Sequence, residues 1–365
     1  MQPPLPTNET FLKKVQVGIE ATPGTLVAAT RKLLADIQLA YEPAISQFND
    51  RTGTRFAKGR FAKGRDKVSF TGTDQATFDD LAYWAQTMIA YVAAAKTPAT
   101  GTVAAICTAI IGGSLTGSGS ATTGYGWLFK PAATSLGKKS LSLEFGEPGN
   151  SYVSTQAMVS GWTLRGDPDS NSETAWMLDL EMLARDVAAQ AYTGSIGDRQ
   201  TNPIIAAGTK LYIDSTTMGT TQVLGKLISW SLVGSDDIHY KAFAEDANFV
   251  AANKIGFGES SLSGQIVFEF DDDTYFALLR AGTARKLLLY RDGVGITGST
   301  GPVPHQMFIG IPQAQFTGIS WGDREGNMTA TISFDAYYDG TLGAPFFLYL
   351  VNGVAASGGA TSMFG

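Results

Sequence analysis

The chain has 365 residues, a hydrophobic fraction of 44%, a formal net charge of −6 at pH 7 and one cysteine. The acidic balance argues against a general nucleic-acid-binding protein, which needs Lys and Arg to displace counterions from phosphates, and one cysteine excludes an intramolecular disulfide framework. Charged residues make up 16%, below the roughly 25% of a typical soluble domain, which favours a surface partly covered by partners.

The first half predicts one folding unit, residues 11–187, preceded by a Pro-rich arm over residues 1–10. Alternation of apolar and polar residues predicts its strands. They cover 11–20, 37–41, 126–130, 139–145, 152–160, 163–165 and 175–183. Residues 97–123 are rich in Gly, Ser, Thr and Ala and predict a long inserted loop around a short apolar strand, 103–111.

A basic segment, residues 49–67, interrupts the first unit of this acidic protein. It contains the perfect repeat RFAKG-RFAKG, and its basic and aromatic residues are Arg51, Arg55, Phe56, Lys58, Arg60, Phe61, Lys63, Arg65 and Lys67. One interpretation is a solvated loop. The other is a protruding arm that docks on an acidic neighbour, and the interleaved phenylalanines favour docking because a solvated loop gains nothing from aromatic side chains.

Two helices are predicted, over residues 78–89 and 271–281. Acidic residues precede an apolar run in each case, which suits the exposed N–H groups and the dipole of a helix N-terminus. Trp84 and Phe276 are predicted to anchor these helices in the core.

A polar segment, residues 188–208, predicts a linker, and residues 209–353 predict a second unit followed by a Gly/Ser-rich tail, 354–365. The strand patterns of the second unit cover 210–213, 226–233, 261–268, 285–290, 306–311, 314–319, 328–337 and 346–351. The order of strands, acidic residues, helix and hairpin is the same in both halves. We therefore expect a mainly β chain of two tandem units, each a β-sandwich or open barrel with one flanking α-helix.

The sequence argues against an enzyme and against a bound cofactor or metal. The two histidines, His239 and His305, have no neighbouring nucleophile in sequence, one cysteine gives no zinc pattern, and no phosphate-binding glycine motif follows a strand. A pair of glycosidase carboxylates is left open, because their separation in space cannot be read from a sequence.

The segment QVGIEATPGT, residues 16–25, followed by Ala28, Ala29 and Thr30, resembles the amino-terminal pattern of tail tube (major tail) proteins of long-tailed, siphovirus-like bacteriophages. Residues 125–132 and 139–146, followed by a hairpin ending near Leu183, are similar to the rest of that family's unit.

The resemblance implies stacked rings around a DNA channel, with a loop of each unit reaching the next ring; residues 49–67 lie where that loop is expected. It implies a tape measure protein, a tail terminator and a distal tail protein as partners, and assembly into a virion tail after synthesis in the bacterial cytoplasm. Two units per chain predict trimeric rings with pseudo-sixfold symmetry. No signal peptide or membrane-spanning segment is expected.

Conduction of DNA needs a wall that does not bind phosphates, and three carboxylates are predicted to face the channel. Asp179 and Glu181 alternate with Trp176, Leu178 and Leu180 on the strand 175–183, and Asp335 is expected at the similar place in the second unit. The alternative is that these are ordinary solvated carboxylates. A tail terminator, a capsid decoration protein and a carbohydrate-binding β-sandwich adhesin are the other functions that the sequence leaves open.

Overall fold

The computed structural model of the chain describes residues 13–49, 58–64, 66–92, 101–114, 124–147, 149–170, 174–197, 202–241, 254–270, 274–296 and 303–353. Within these ranges the chain is mainly β. The strands before residue 200 are β1 Lys14–Ile19, β2 Arg31–Leu33, β3 Asp36–Glu42, β4 Ile45–Asn49, β5 Lys58–Lys63, β6 Lys67–Gln75, β7 Tyr91–Val92, β8 Tyr125–Phe129, β9 Leu141–Glu147, β10 Asn150–Gly166, β11 Met177–Ala184 and β12 Ala188–Ala189. The later strands are β13 Lys210–Asp214, β14 Gln222–Val223, β15 Leu227–Lys241, β16 Lys254–Glu269, β17 Arg285–Gly295, β18 Pro304–Arg324, β19 Asn327–Ala336 and β20 Phe347–Asn352.

Three helices lie in the described ranges: α1 Leu81–Met88, α2 Val103–Ile111 and α3 Thr274–Ala281. The predicted strand at 103–111 is wrong, and the first half has two helices where one was expected. Thr102 caps α2 by accepting a hydrogen bond from the Ala105 N–H at 3.3 Å, and Ile106, Cys107 and Ile110 are buried at helical spacing. A continuous apolar run does not distinguish a buried strand from a buried helix, and this is why the strand prediction for residues 103–111 is wrong.

Eight strands form the principal sheet, and all their pairings are antiparallel. Their order is β3–β6–β11–β10–β15–β16–β19–β18. Buried side chains such as Leu180 and Ile332 alternate along the strands with polar ones, which is the pattern of a sheet with one covered face. The sheet is continuous from the first half of the chain into the second.

Two further sheets pack on the principal one. Their orders are β2–β1–β9–β10–β12 and β14–β13–β17–β18–β20–β8–β7. The strands β10 and β18 are long and bent, and each belongs to two sheets. A bulge between Val159 and Gly161 and another between Phe316 and Gly318 mark the bends.

The pairings of the first half recur in the second. The pairs β1–β2, β1–β9, β9–β10, β10–β12, β10–β11, β11–β6 and β6–β3 have counterparts in β13–β14, β13–β17, β17–β18, β18–β20, β18–β19, β19–β16 and β16–β15. The helix α1 follows β6, and α3 follows β16. Elements β4, β5, β7, β8 and α2 have no counterpart among the described residues of the second half.

One hydrophobic core joins both halves. It contains Trp84 and Trp176 from the first half and Trp230 and Phe268 from the second. A smaller core lies under α2. Trp84 is fully buried, as predicted, but Phe276 is only half-buried and its ring lies 6.2 Å from that of Trp321, so its prediction as a core anchor is wrong.

The predicted linker, 188–208, is partly built into the fold. Residues Ala188 and Ala189 pair with β10, and Ile204 and Ala206 are buried in the main core. The Trp176 N–H donates to the Ile204 carbonyl at 2.7 Å. Among the described residues, no helix has the length and apolar content needed to cross a membrane.

Candidate functional site

The two halves meet where β10 pairs with β15. The register places Trp162 opposite Gly234, Leu164 opposite Leu232 and Gly166 opposite Trp230. A Cβ atom at Gly234 would overlap the indole of Trp162, and one at Gly166 would overlap the indole of Trp230. Each tryptophan therefore covers a glycine on the other strand, and the junction is closed by side-chain packing as well as by the backbone ladder.

A buried ion pair adds to this junction. The Lys138 ammonium contacts the Asp236 carboxylate, and it also donates to the Val159 carbonyl at 3.3 Å. The two side chains are 4% and 13% exposed. Burial lowers the pKa of Lys138, and the carboxylate of Asp236 opposes that shift. Because a buried charge needs its partner, this pair holds the two halves in one arrangement.

The two outermost strands of the principal sheet each have one open edge. Among the described residues, β3 pairs only with β6, and residues 318–324 of β18 pair only with β19. Unpaired strand edges are sites at which another strand can add. The open edges belong to opposite ends of the strand order, so one chain carries two different edges.

Both open edges expose large apolar side chains. On β3, Leu39 is 39% and Tyr41 46% exposed, and on β18 Trp321 is 45% exposed. Beside β18, α3 has no buried residue, whereas every residue of α1 is buried. A helix at the same position in the two halves is thus fully buried in one half and only half-buried in the other.

The face of the principal sheet that lies opposite the core is polar. Serine, threonine and glutamine side chains cover most of it: Ser69, Thr71, Thr73, Thr163, Ser231, Ser235, Ser261, Ser263, Gln265, Ser320, Thr331 and Ser333. The predicted channel residues Asp179, Glu181 and Asp335 all lie on this face and line two shallow open concavities in it.

The three carboxylates have different surroundings. Asp179 accepts a hydrogen bond from Thr73 Oγ1 at 3.0 Å and forms an ion pair with Arg165 at 3.2 Å, so its charge is compensated. Glu181 is exposed and lies against Gly161, and Asp335 is half-buried. In the strand pairings Asp335 corresponds to Leu183, two residues beyond the counterpart of Glu181, so the expectation that it occupies the similar place in the second unit is wrong.

The basic segment is a hairpin in its described part, where a loop was predicted. The strands β4 and β5 pair with Phe48 opposite Arg60. Lys58, Arg60, Phe61 and Lys63 lie on β5 and Lys67 begins β6. Phe61 is 75% exposed, Ile45 54% and Phe48 46%. Arg51, Arg55, Phe56 and Arg65 lie outside the described residues.

A network ties this hairpin to the open edge. The Tyr41 hydroxyl donates to Asp66 at 2.6 Å, and Lys63 lies 3.0 Å from the same carboxylate. The hydrogen bond to Asp66 is the main reason that the pKa of Tyr41 is raised. The direction of the hairpin is therefore set partly by a residue of β3.

A second extension leaves the same end of the sheet, and the strand patterns of the sequence do not predict it. Strands β15 and β16 continue past Asp236 and Ser260 as far as the Lys241–Lys254 pair. The alternation of Ile238 and Tyr240 after Val233 was the available signal, but two glycines in β16, Gly256 and Gly258, weaken the pattern on the partner strand.

The two histidines have different surroundings. His305 is buried, and its Nδ1 lies 2.8 Å from the Val294 carbonyl; His239 is exposed on β15. No group of three or more His, Cys, Asp or Glu side chains that could hold a metal ion occurs in the described part of the chain. The thiol of Cys107 is buried, and burial raises its pKa to about 12.

No protein-family model matches this chain, and no curated protein matches it significantly.

Proposed function

We propose that this chain is a structural subunit of a bacteriophage tail tube, and that it polymerises as stacked rings around a channel that conducts DNA. The observation that carries the proposal is the relation between the junction inside the chain and the open edges at its two ends. The two halves of the chain are joined edge to edge. A second pair of corresponding strand edges is exposed, and no strand among the described residues pairs with either of them.

The recurring pairings support two copies of one unit. In the first copy the principal sheet runs β3–β6–β11–β10, and in the second it runs β15–β16–β19–β18. The junction joins β10 of the first copy to β15 of the second. The open edges are β3 and β18, which are the counterparts of β15 and β10. A neighbouring chain can therefore add β3 to β18 in the way that β15 adds to β10.

The register of that contact follows from the pairings. Gly161 and Gly318 each follow the bulge of their strand, so Trp162 corresponds to Ile319. Tyr41 on β3 is the counterpart of Gly234 on β15, because the residues opposite them, on β6 and on β16, are counterparts of each other. The expected pairs between chains are Ile319–Tyr41, Ser320–Ala40 and Trp321–Leu39.

These pairs bring the exposed apolar residues of the two edges together. Ile319, Trp321, Leu39 and Tyr41 lie on the core side of the sheet, where Trp162 and Leu232 are buried at the junction inside the chain. Complete burial of one such side chain contributes roughly 1.5–3 kcal/mol. The half-buried α3 lies beside the same edge, and a neighbour there would complete its burial as α1 is buried within the chain.

A closed ring places the polar face of the sheet on the inside. Three chains of two units each give the pseudo-sixfold ring. Hydroxyl and amide groups, with Glu181 and Asp335, leave few cations for DNA phosphates, since Arg165 is paired with Asp179. DNA passes such a wall without the counterion release that stabilises binding. The tail partners and the virion location belong to this proposal.

Electron microscopy of the purified full-length protein tests the proposal. We expect hollow cylinders built of rings, with three chains and six similar units in each ring. A protein that stays monomeric at high concentration would overturn the proposal. Rings of six whole chains would overturn the prediction of three chains per ring. A monomer that binds glycans would instead favour the carbohydrate-binding alternative.

A further inference from the structure

The ion pair at the junction inside the chain lies where the ladder between β10 and β15 ends. The last pair of that ladder is Gly161 opposite Ser235, and Asp236 follows it directly. Lys138, which lies just before β9, contacts Asp236 and also donates to the Val159 carbonyl. A charge contact therefore closes this end of the strand pair.

The open β18 edge has two arginines at the corresponding place. The register shifts at the start of β9 and at the start of β17 match, and they make Arg285 the counterpart of Leu141. The segment before β17 is therefore the counterpart of the segment that holds Lys138, and it lies between Arg280 of α3 and Arg285. Arg280 is exposed, and the Nε atom of Arg285 has no hydrogen-bond partner among the described residues. This edge thus offers two guanidinium groups beside a strand that lacks a neighbour.

The β3 edge has a carboxylate at the corresponding place. Tyr41 is the counterpart of Gly234, and counting along β6 and β16 from the residues opposite them makes Asp66 the counterpart of Ser260. At the junction, Ser260 lies directly opposite Asp236. Asp66 therefore lies beside the place that Asp236 occupies at the junction.

The Asp66 carboxylate is held in position by its own chain. Its Oδ2 atom accepts a hydrogen bond from the Tyr41 hydroxyl at 2.6 Å and lies 3.0 Å from the Lys63 ammonium. Its Oδ1 atom has no hydrogen-bond partner among the described residues. A polar oxygen in this state is costly when it is taken out of water, so a cation from a neighbouring chain would stabilise it.

We infer that Asp66 of one chain forms an ion pair with Arg280 and Arg285 of the next chain, and that this contact closes the β3–β18 strand pair as Lys138 and Asp236 close the junction. The inference rests on the proposed function and adds to it the charged groups that determine which edges meet. Two β3 edges would leave both Asp66 carboxylates without these arginines. The pair therefore favours the contact of unlike edges, which a closed ring of identical chains requires.

Charge reversal on each edge tests the ion pair. One variant combines Arg280→Glu with Arg285→Glu, and the other is Asp66→Arg. In sedimentation, each should need a roughly tenfold or higher protein concentration to form rings, because like charges then face each other across the contact. A chain with all three substitutions should form rings like the unchanged chain. The matched control is Lys13→Glu with Lys241→Glu, which changes the net charge as the first variant does, at two exposed residues outside β3 and β18, and should assemble normally.

A mixture of the two reversal variants gives a readout that depends on the number of chains in the ring. In a 1:1 mixture only contacts between unlike variants are matched in charge. A ring of three chains cannot alternate, so at least one of its contacts is mismatched. The mixture should therefore give dimers and few closed trimers, whereas the chain with all three substitutions closes.

Asp66→Asn separates loss of the ion pair from loss of the fold, because it keeps an oxygen that accepts from Tyr41 and removes only the charge. It should weaken ring formation and leave the circular dichroism spectrum unchanged. Reversal variants that form rings at the same concentration as the unchanged chain would overturn the ion pair and leave the ring proposal standing. A folded chain with all three substitutions that does not assemble would also overturn it. Absence of rings from the unchanged chain would instead overturn the proposed function.

Discussion

The indole of Trp162 lies against Gly234 across the β10–β15 pair. This contact joins the two halves of the chain, and Trp230 and Gly166 repeat it in the opposite direction. Trp162 is 5% exposed and Trp230 2%. A glycine at each position leaves room for a large aromatic ring on the neighbouring strand. The junction therefore requires the two glycines as well as the two tryptophans.

Gly234→Val should destabilise the folded chain by roughly 1–3 kcal/mol or more, because the added atoms overlap the Trp162 ring and overpacking costs about that amount. Urea unfolding measures the change. Gly295→Val is the matched control, since the Cβ position of Gly295 on β17 is open. Equal losses at both glycines would show that the contact with Trp162 is not the cause.

Ala40→Cys combined with Ser320→Cys should link chains to one another. The proposed register places these residues opposite each other on the polar face, where paired Cβ atoms lie about 4.5–5.5 Å apart, near the range that a disulfide spans. Mild oxidation should give covalent dimers and closed trimers on a denaturing gel. The native Cys107 is fully buried and does not compete.

The same pair inside the chain provides the control for this cross-link. Thr163 lies opposite Val233 in the β10–β15 register, so Thr163→Cys with Val233→Cys should oxidise within one chain. Gln38→Cys with Ser320→Cys is two residues out of register and should link poorly. Efficient linking of the out-of-register pair, without linking of the register pair, would contradict the proposed edge contact.

Leu39→Asp should prevent ring formation and leave the fold intact. Leu39 is 39% exposed in the single chain, so the substitution costs little stability in the monomer. In the ring, the aspartate would be buried against Trp321 of the neighbouring chain, and burying that charge is costly. Sedimentation should show monomers, and the circular dichroism spectrum should be that of the unchanged chain. Leu224→Asp, at a residue that is 71% exposed, should assemble normally. Assembly of Leu39→Asp into rings would exclude β3 as the contact.

The sequence predicted the strands well where one face is buried. The alternation of Trp176, Leu178, Leu180 and Met182 gave β11 and its polar face correctly, because a single register satisfies both faces. It could not give β10 or β18 as single strands. Bulges at Gly161 and Gly318 shift the alternation by one residue within each strand, so the pattern of each predicts two short strands.

The candidate site was less predictable. The basic hairpin could be recognised from local composition, but an open sheet edge is a property of strand order, which depends on pairs as distant as Thr163 and Val233. The Arg165–Asp179 ion pair could not be predicted from the sequence either. It joins neighbouring strands of a hairpin, and its existence depends on the register that the bulge before Gly161 sets.

The stability of the first half should depend on pH through Asp74. Its carboxylate is 3% exposed and accepts a hydrogen bond from Trp84 Nε1 at 2.7 Å. Burial raises the pKa of Asp74 to about 7, and the neighbouring Asp80 adds to the shift. In the unfolded chain the pKa is about 3.9. The folded state therefore holds a proton that the unfolded state loses, and this contribution to stability, complete below about pH 4, is lost as the pH rises to about 7.

Asp74→Asn removes this titration and keeps an oxygen that accepts from Trp84. Relative to the unchanged chain, the variant should gain roughly 2–3 kcal/mol between pH 5 and pH 8, as the native carboxylate becomes charged in a buried site. Urea unfolding of both proteins at the two pH values measures the difference. Asp237→Asn, at a side chain that is 74% exposed, should show no such gain. A variant whose stability relative to the unchanged chain is the same at both pH values would mean that Asp74 is already charged at pH 5.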